Sequence, residues 1–347
     1  MKKKRVLFSP LNWGLGHAVR SVPILREFAA CGFEVILAGD GVALEYLHNE
    51  FPDWQCHIIP SFKIDYSKGN SQIIPVLKAL PKIVIASWKE YRQLKHWVKE
   101  WNIDIVISDN RFGFFYKSRD KQVISIYITH QLTVRMPSGF RFLEPVVRRL
   151  HRAVISNYTY CWIPDEAGSI NLSGDLSHNQ PLPKNAHFIG ILSRFQKEKF
   201  PDEKSKLYDF LFILSGPEPQ RTILEEKITG LFNEKSNVKA MLVRGISRQR
   251  VSEQQKDLTA SEQLQIIDQA SSCELERLLS ISEVVVCRSG YTSVMELASI
   301  SKRAVLIPTP GQPEQEYLGE YLSGLPLFAC VKQDELTMAA LLHAAQK

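Results

Sequence analysis

Arg5-Val6-Leu7-Phe8-Ser9-Pro10-Leu11-Asn12-Trp13-Gly14-Leu15-Gly16-His17-Ala18 runs from a short apolar segment through two glycines into an amphipathic stretch. Over residues 18–30, Ala18, Val22, Leu25 and Ala29 share one helical face, and residues 34–38 are apolar again. A strand at 5–9, a glycine turn, a helix and a second strand predict a βαβ unit with parallel strands. The alternation continues outward, with strands expected at 56–59, 103–108, 123–128, 160–163 and 187–189. From 192 to 209 it stops, and Lys, Glu, Pro and Ser give the composition of an interdomain linker. It restarts with strands at 210–214, 239–243, 264–267, 283–287 and 304–307 and a helix from Gln220. The chain therefore reads as α/β, with two Rossmann-like doubly wound parallel-sheet domains facing a cleft and ligands at the carboxyl ends of the strands. The expected division is residues 1–192, a linker at 193–208 and residues 209–347. The polar stretch 65–72 is expected to be a mobile loop over the cleft.

With 347 residues, 44% hydrophobic and 23% charged, the chain has material for two ordinary cores, which excludes disorder, collagen and coiled coil. Of the net charge of +6, Lys2, Lys3, Lys4 and Arg5 supply four, leaving a nearly neutral body. Such a body lacks the dense basic face of a nucleic-acid binder. The basic start reads as a solvated cap, or as a weak attraction to anionic lipid. Only Val6-Leu7-Phe8 follows it, short of the roughly 7–15 apolar residues of a secretory signal. The most apolar window, 73–88, is broken by Lys78, Pro81 and Lys82, so no membrane span is expected. Six scattered cysteines without metal-ligand spacing read as reduced thiols. A cytoplasmic protein with no bound metal or cofactor is expected.

Three segments carry chemistry. In the first, Gly14 and Gly16 turn the backbone into a helix whose free N–H groups can meet a polar ligand. His17 at the lip of the sheet can act as a general base or merely cap its own helix. A dinucleotide fingerprint needs a third glycine where Val19 stands, although Asp40 after the second strand could mimic its ribose-binding acid. In the second, Val284-Val285-Val286-Cys287-Arg288-Ser289-Gly290-Tyr291-Thr292 is a buried strand entering a turn and helix, a place for a diphosphate, with Glu296 one turn on for a ribose. In the third, Ile307-Pro308-Thr309-Pro310-Gly311-Gln312-Pro313-Glu314-Gln315 presents neutral Gln312 and Gln315 side chains suited to sugar hydroxyls. Asp109, ending the strand Ile105-Val106-Ile107-Ser108, is a competing base, a helix cap, a partner for Arg111, or one half of a pair with His17.

Together these segments resemble the GT-B glycosyltransferases of family 28, typified by the enzyme that adds N-acetylglucosamine to a lipid-linked muropeptide and by the plant galactolipid synthases. The likeness is specific over the C-terminal signature and confined to short motifs in the N-terminal half. It implies that Ser289, Gly290, Tyr291 and Thr292 face the donor diphosphate, Glu296 its ribose and Gln315 the donor sugar, with Arg288 and Gln312 among the donor-binding residues. It further implies that Arg194 neutralises phosphate. His17 is then the base acting on the acceptor hydroxyl, ranked ahead of Asp109, with Gly14, Gly16, His130 and Gln131 on the acceptor side. The second glycine-rich loop of the family corresponds to Ser215-Gly216-Pro217-Glu218-Pro219. There two prolines remove N–H donors and Glu218 adds negative charge, weakening the hold on phosphate.

The resemblance implies an inverting, metal-independent hexosyltransferase using a nucleotide-sugar donor, UDP-linked, and a hydroxyl acceptor. No Asp-x-Asp is present to hold a metal clamp. Aromatic and basic residues mix at 88–101 and 140–152, suiting either a buried helical stripe or a peripheral membrane surface for a lipid-linked acceptor. The alternatives are a nucleotide-sugar 2-epimerase, a non-catalytic nucleotide-sugar-binding protein, and an NAD-dependent oxidoreductase.

Overall fold

The computed structural model describes residues 3–61, 73–117, 122–197, 206–216, 218–233, 237–246 and 263–346. The expected loop at 65–72 lies outside them. The chain divides into two compact units, Met1–Arg194 and Phe195–Lys347.

The first unit holds β1 (Arg5–Pro10), β2 (Glu34–Gly39), β3 (Gln55–Ile58), β4 (Ile105–Asp109), β5 (Ile124–Ile128), β6 (Tyr160–Ile163) and β7 (Ala186–Phe188). They form one parallel sheet in the order β3-β2-β1-β4-β5-β6-β7. Connecting helices are α1 (Gly16–Ala30), α2 (Gly41–Glu50), α3 (Ile73–Glu100) and α4 (Glu144–Ile155). Successive strands run away from β1 on one side and resume on the other with β4, so the order reverses between β1 and β4. Pro10 faces Asp109 at the carboxyl end of that pair, the crevice where doubly wound sheets take ligands. Strand boundaries move by one or two residues from the sequence expectation, because buried hydrogen bonding carries β1 to Pro10 and β4 to Asp109.

The stretch 88–101 divides. Leu94, Trp97 and Val98 are buried against Leu7, Ile36 and Val106 in the core, whereas Trp88 is 56% exposed. Among the described residues, no helix is long and apolar enough to cross a membrane.

The second unit holds β8 (Tyr208–Ile213), β9 (Ala240–Val243), β10 (Leu264–Ile267), β11 (Ser282–Cys287), β12 (Ala304–Leu306) and β13 (Phe328–Cys330). These also form a parallel sheet, in the order β10-β9-β8-β11-β12-β13. Its described helices are α5 (Gln220–Gly230), α6 (Ser272–Ser280), α7 (Tyr291–Ser299), α8 (Pro313–Leu322) and α9 (Met338–Ala345). The order reverses between β8 and β11, where Ile213 faces Cys287. Helices α5 and α7 follow these two strands. The two units are therefore parallel-sheet α/β folds of the same winding.

Candidate active site

In the first unit, Leu11 N–H returns to the Asp109 carbonyl at 2.9 Å, and Gly14 adopts a positive φ of 85° that turns the chain into α1. The apolar residues Ala18, Val22 and Leu25 bury one face of α1, which sets His17 and Arg20 at the end of β4. His17 Nδ1 lies 2.8 Å from Asp109 Oδ1, and Asp109 has no exposed surface. Arg20, 2% exposed, donates from Nε to Asp109 Oδ2 at 2.6 Å and from Nη2 to Oδ1. Its Nη1 lies 2.8 Å from His130 Nδ1, just beyond β5. Burial alone raises the Asp109 pKa, but the Arg20 and His17 charges and hydrogen bonds outweigh it and hold it at about 2. The carboxylate is therefore ionised. It is an acceptor beside His17 Nδ1, and a proton on that nitrogen would leave the lone pair on Nε2.

Asp109 and His17 are thus a pair rather than rivals, and neither caps a helix or meets Arg111. Arg111 is fully buried elsewhere, 3.1 Å from Glu90 and donating to Ser9 and Ser61. Asp40, weighed as a ribose acid, accepts instead from the Ser61 N–H at 2.8 Å and from its hydroxyl. His130 is buried and Gln131 half-buried beside it. Arg194 ends this unit with Nη1 donating to the Tyr46 hydroxyl of α2 at 3.1 Å.

In the second unit, Gly290 is the N-cap of α7, with no side-chain cap and no acidic residue in the first turn. A Cβ at Gly290 would meet nothing within 4 Å. Tyr291 and Glu296 are buried on this helix and Thr292 is half-buried. Arg288, only 2% exposed, donates to the carbonyls of Gln220 at 2.8 Å, Pro308 at 3.2 Å and Ile307 at 3.3 Å, and so ties these loops together. The Ser289 hydroxyl is likewise committed, donating to the Gln315 carbonyl at 2.7 Å. Gln315 accepts from Thr309 N–H at 2.9 Å and donates to Gln312 Oε1 at 2.6 Å, so the two glutamines act as one unit.

Ser215 and Gly216 are exposed after β8, and Gly216 has a φ of 105°. Glu218 then fills the start of α5. It accepts from Arg221 Nε at 2.6 Å, from Thr222 Oγ1 at 2.8 Å and from Thr222 N–H at 3.2 Å. Burial raises its pKa, but these bonds and the Arg221 charge hold it below the usual carboxylate range.

Sequence reasoning missed Arg20 and the pairing of Glu218. A charged residue three positions after His17, on the same helical face, was the available signal for the first. It also missed a chain of ion pairs, buried at Arg221 and Glu225, in which Arg221 and Arg244 share Glu225 and Arg244 reaches the more exposed Asp268 at 2.8 Å. Among the described residues, no three His, Cys, Asp or Glu side chains gather to hold a metal.

Residues 211–347 match the glycosyltransferase family 28 C-terminal domain, and residues 4–156 match a glycosyl transferase family 1 domain. An uncharacterized glycosyltransferase of Methanopyrus kandleri is 22% identical over 332 residues, covering 93% of this chain and 90% of its own. The spinosyn rhamnosyltransferase SpnG, solved with thymidine diphosphate, superimposes with a TM-score of 0.65 at 14% identity over 98% of this chain and 92% of its own. MurG of Acinetobacter baumannii gives 0.56 at 14% identity over 99% and 91%.

Proposed function

We propose that the chain moves a hexose from a UDP-linked donor to an acceptor hydroxyl, with inversion and without a metal ion, a reading supported by the matches of residues 211–347 to the glycosyltransferase family 28 C-terminal domain and of residues 4–156 to a glycosyl transferase family 1 domain. The observation that carries this reading is the 2.8 Å contact between His17 and a buried, ionised Asp109. His17 Nε2 takes the proton of the acceptor hydroxyl while that oxygen bonds to the anomeric carbon. The bond from this carbon to the diphosphate oxygen breaks, and the electron pair leaves with the diphosphate. Asp109 balances the imidazolium that forms. With no exposed surface and both oxygens hydrogen-bonded, Asp109 is a poor nucleophile, which favours a single inverting displacement.

On the donor side, the first-turn N–H groups of α7 suit the departing diphosphate, and after the family pattern Arg194 adds charge. Glu296 would take the ribose. Gln312 would reach the donor sugar, held by Gln315. Ser215 and Gly216 would contribute less, because Glu218 already occupies the start of α5.

A lipid-linked acceptor and a peripheral membrane site are proposed from the first unit. Phe142, Val146 and Leu150 are 73%, 57% and 63% exposed, and Arg141 and Arg149 stand beside them. Val84, Ile85 and Trp88 of α3 are exposed as well. Sedimentation with anionic vesicles at low salt tests the idea, and failure to bind removes it.

The function itself is tested by thermal shift with UDP, dTDP, GDP, CMP and NAD, each with and without EDTA, followed by assay of transfer from the matching nucleotide sugars. A ligand at one hundred times its Kd stabilises by about 2.7 kcal/mol. A UDP shift that survives EDTA, with a product of inverted anomeric configuration, is expected. A shift with NAD alone overturns the reading, and epimerised donor without transfer supports the 2-epimerase.

A further inference from the structure

We propose that Arg20 is a positioning residue at the end of the first sheet: it fixes His130 directly with its proton on Nε2 and, through the Asp109 carboxylate it holds in place, leaves His17 with its proton on Nδ1. The role given to His17 rests on the transfer reaction proposed above, whereas the tautomers do not.

A guanidinium has five N–H donors and no acceptor. His130 Nδ1, 2.8 Å from Arg20 Nη1, must therefore carry a lone pair, which puts its proton on Nε2. Gln131 Nε2 lies 3.4 Å from that nitrogen, so a proton there calls for the opposite amide orientation, with Oε1 toward the ring. His17 Nδ1 has two neighbours, Asp109 Oδ1 at 2.8 Å and Arg20 Nη2 at 2.9 Å. A lone pair on Nδ1 would face the carboxylate at hydrogen-bonding distance, a repulsive contact between two acceptors. A proton there gives a charge-assisted bond, about twice as strong as a neutral one. Arg20 Nη2 lies near Nδ1 because both donate to the same Oδ1.

One guanidinium thus joins α1, the end of β4 and the segment after β5, and it gives the two imidazoles opposite proton arrangements. Lysine, a point charge without a planar fork, cannot reach Asp109 and His130 together in this way. The groups facing Asp109 are His17 and Arg20 from α1 and Tyr127 from β5, with His130 joined through Arg20. Without Arg20, burial pushes the Asp109 carboxyl upward and a neutral form grows in as pH falls.

The test uses histidine-labelled full-length protein, long-range proton–nitrogen NMR to locate the ring protons, and transfer kinetics across pH for Arg20→Lys and Arg20→Met. Wild type should show His17 protonated at Nδ1 and His130 at Nε2. Both variants should show mixed tautomers at His130, a kcat about 100-fold lower, a donor KM within about two-fold of wild type, and an acid limb moved to higher pH. Wild-type spectra decide the tautomers even if a variant does not fold. A wild-type His130 protonated at Nδ1, or unchanged ring protons in both variants, overturns the proposal. Expected tautomers in a protein that transfers no sugar uphold the assignment and overturn only the transfer reading.

Discussion

Replacing Asp109 by Asn removes a charge without changing the shape of its site, so its cost can be worked from the surroundings. The carboxyl is fully buried and its pKa is held at about 2 instead of 3.8. That difference corresponds to about 2 kcal/mol of folding stability at neutral pH. Because the folded pKa is depressed, this contribution is complete above the unfolded value and is lost as pH falls through the folded one. At pH 3 the unfolded carboxyl is mostly protonated while the folded one is mostly ionised, and roughly 1 kcal/mol of the contribution is already gone. The neutral amide also leaves the buried Arg20 without its counter-charge, so the total loss at pH 7 should approach about 3 kcal/mol. All six tryptophans, at 13, 54, 88, 97, 101 and 162, belong to the first unit, so their fluorescence during urea unfolding follows that unit alone. The expected result is a gap of about 2–3 kcal/mol between wild type and Asp109→Asn at pH 7 that narrows by roughly 1 kcal/mol at pH 3. A gap below about 1 kcal/mol at pH 7, or one that stays constant with pH, would refute the claim that this carboxylate is held ionised by its neighbours.

On the proposed reading, His17→Ala should lower transfer by about 10²–10⁴-fold while UDP affinity, measured by calorimetry, stays within two-fold; full activity removes His17 as the base. Glu218→Gln takes the carboxylate from the start of α5 and should tighten diphosphate binding by up to about five-fold, near 1 kcal/mol; an unchanged Kd means Glu218 does not compete with phosphate. Phe142→Asp with Leu150→Asp should cut binding to anionic vesicles at least about ten-fold, since each apolar side chain is worth about 1.5–3 kcal/mol when buried. The melting temperature should not move, because both side chains are mostly exposed.

The periodicity that announced the fold survives in the structure because short buried strands alternating with one-sided helices leave the chain few other ways to cover its apolar surface. Turns fared well for the same local reason, since Gly14 and Gly290 stand where a chain must reverse from strand to helix. Arg20 was not legible, because its partner Asp109 lies 89 residues away and only strand order brings them together. The partners of Arg288 were not legible either, because three backbone carbonyls from separate parts of the chain meet it only once the sheet is packed. The aromatic and basic stretch 88–101 reads the same whether buried or exposed, and the register of α3 on the sheet decides it, placing Trp97 in the core and Trp88 in solvent.

The second unit offers two helix N-termini at its switch point, and their difference bears on where a donor's charge is placed. Helices α5 and α7 follow the neighbouring strands β8 and β11, whose last residues face each other at Ile213 and Cys287. Each terminus carries the equivalent of about half a positive charge. At α5 that charge meets the chain's own Glu218, which also takes the Thr222 N–H and hydroxyl and the Arg221 side chain. An incoming phosphate there would face a full negative charge within a few ångströms. At α7 the first turn holds no acidic residue and a Cβ at Gly290 would meet nothing within 4 Å. On the proposed reading, a ligand with two phosphates avoids the Glu218 charge by bringing its own to α7. Gln312 and Gln315 are tied to that turn through Ser289. Discrimination between donor sugars on this reading falls to the α8 loop, and the departure at Ser215–Pro219 alters phosphate grip without removing the diphosphate site.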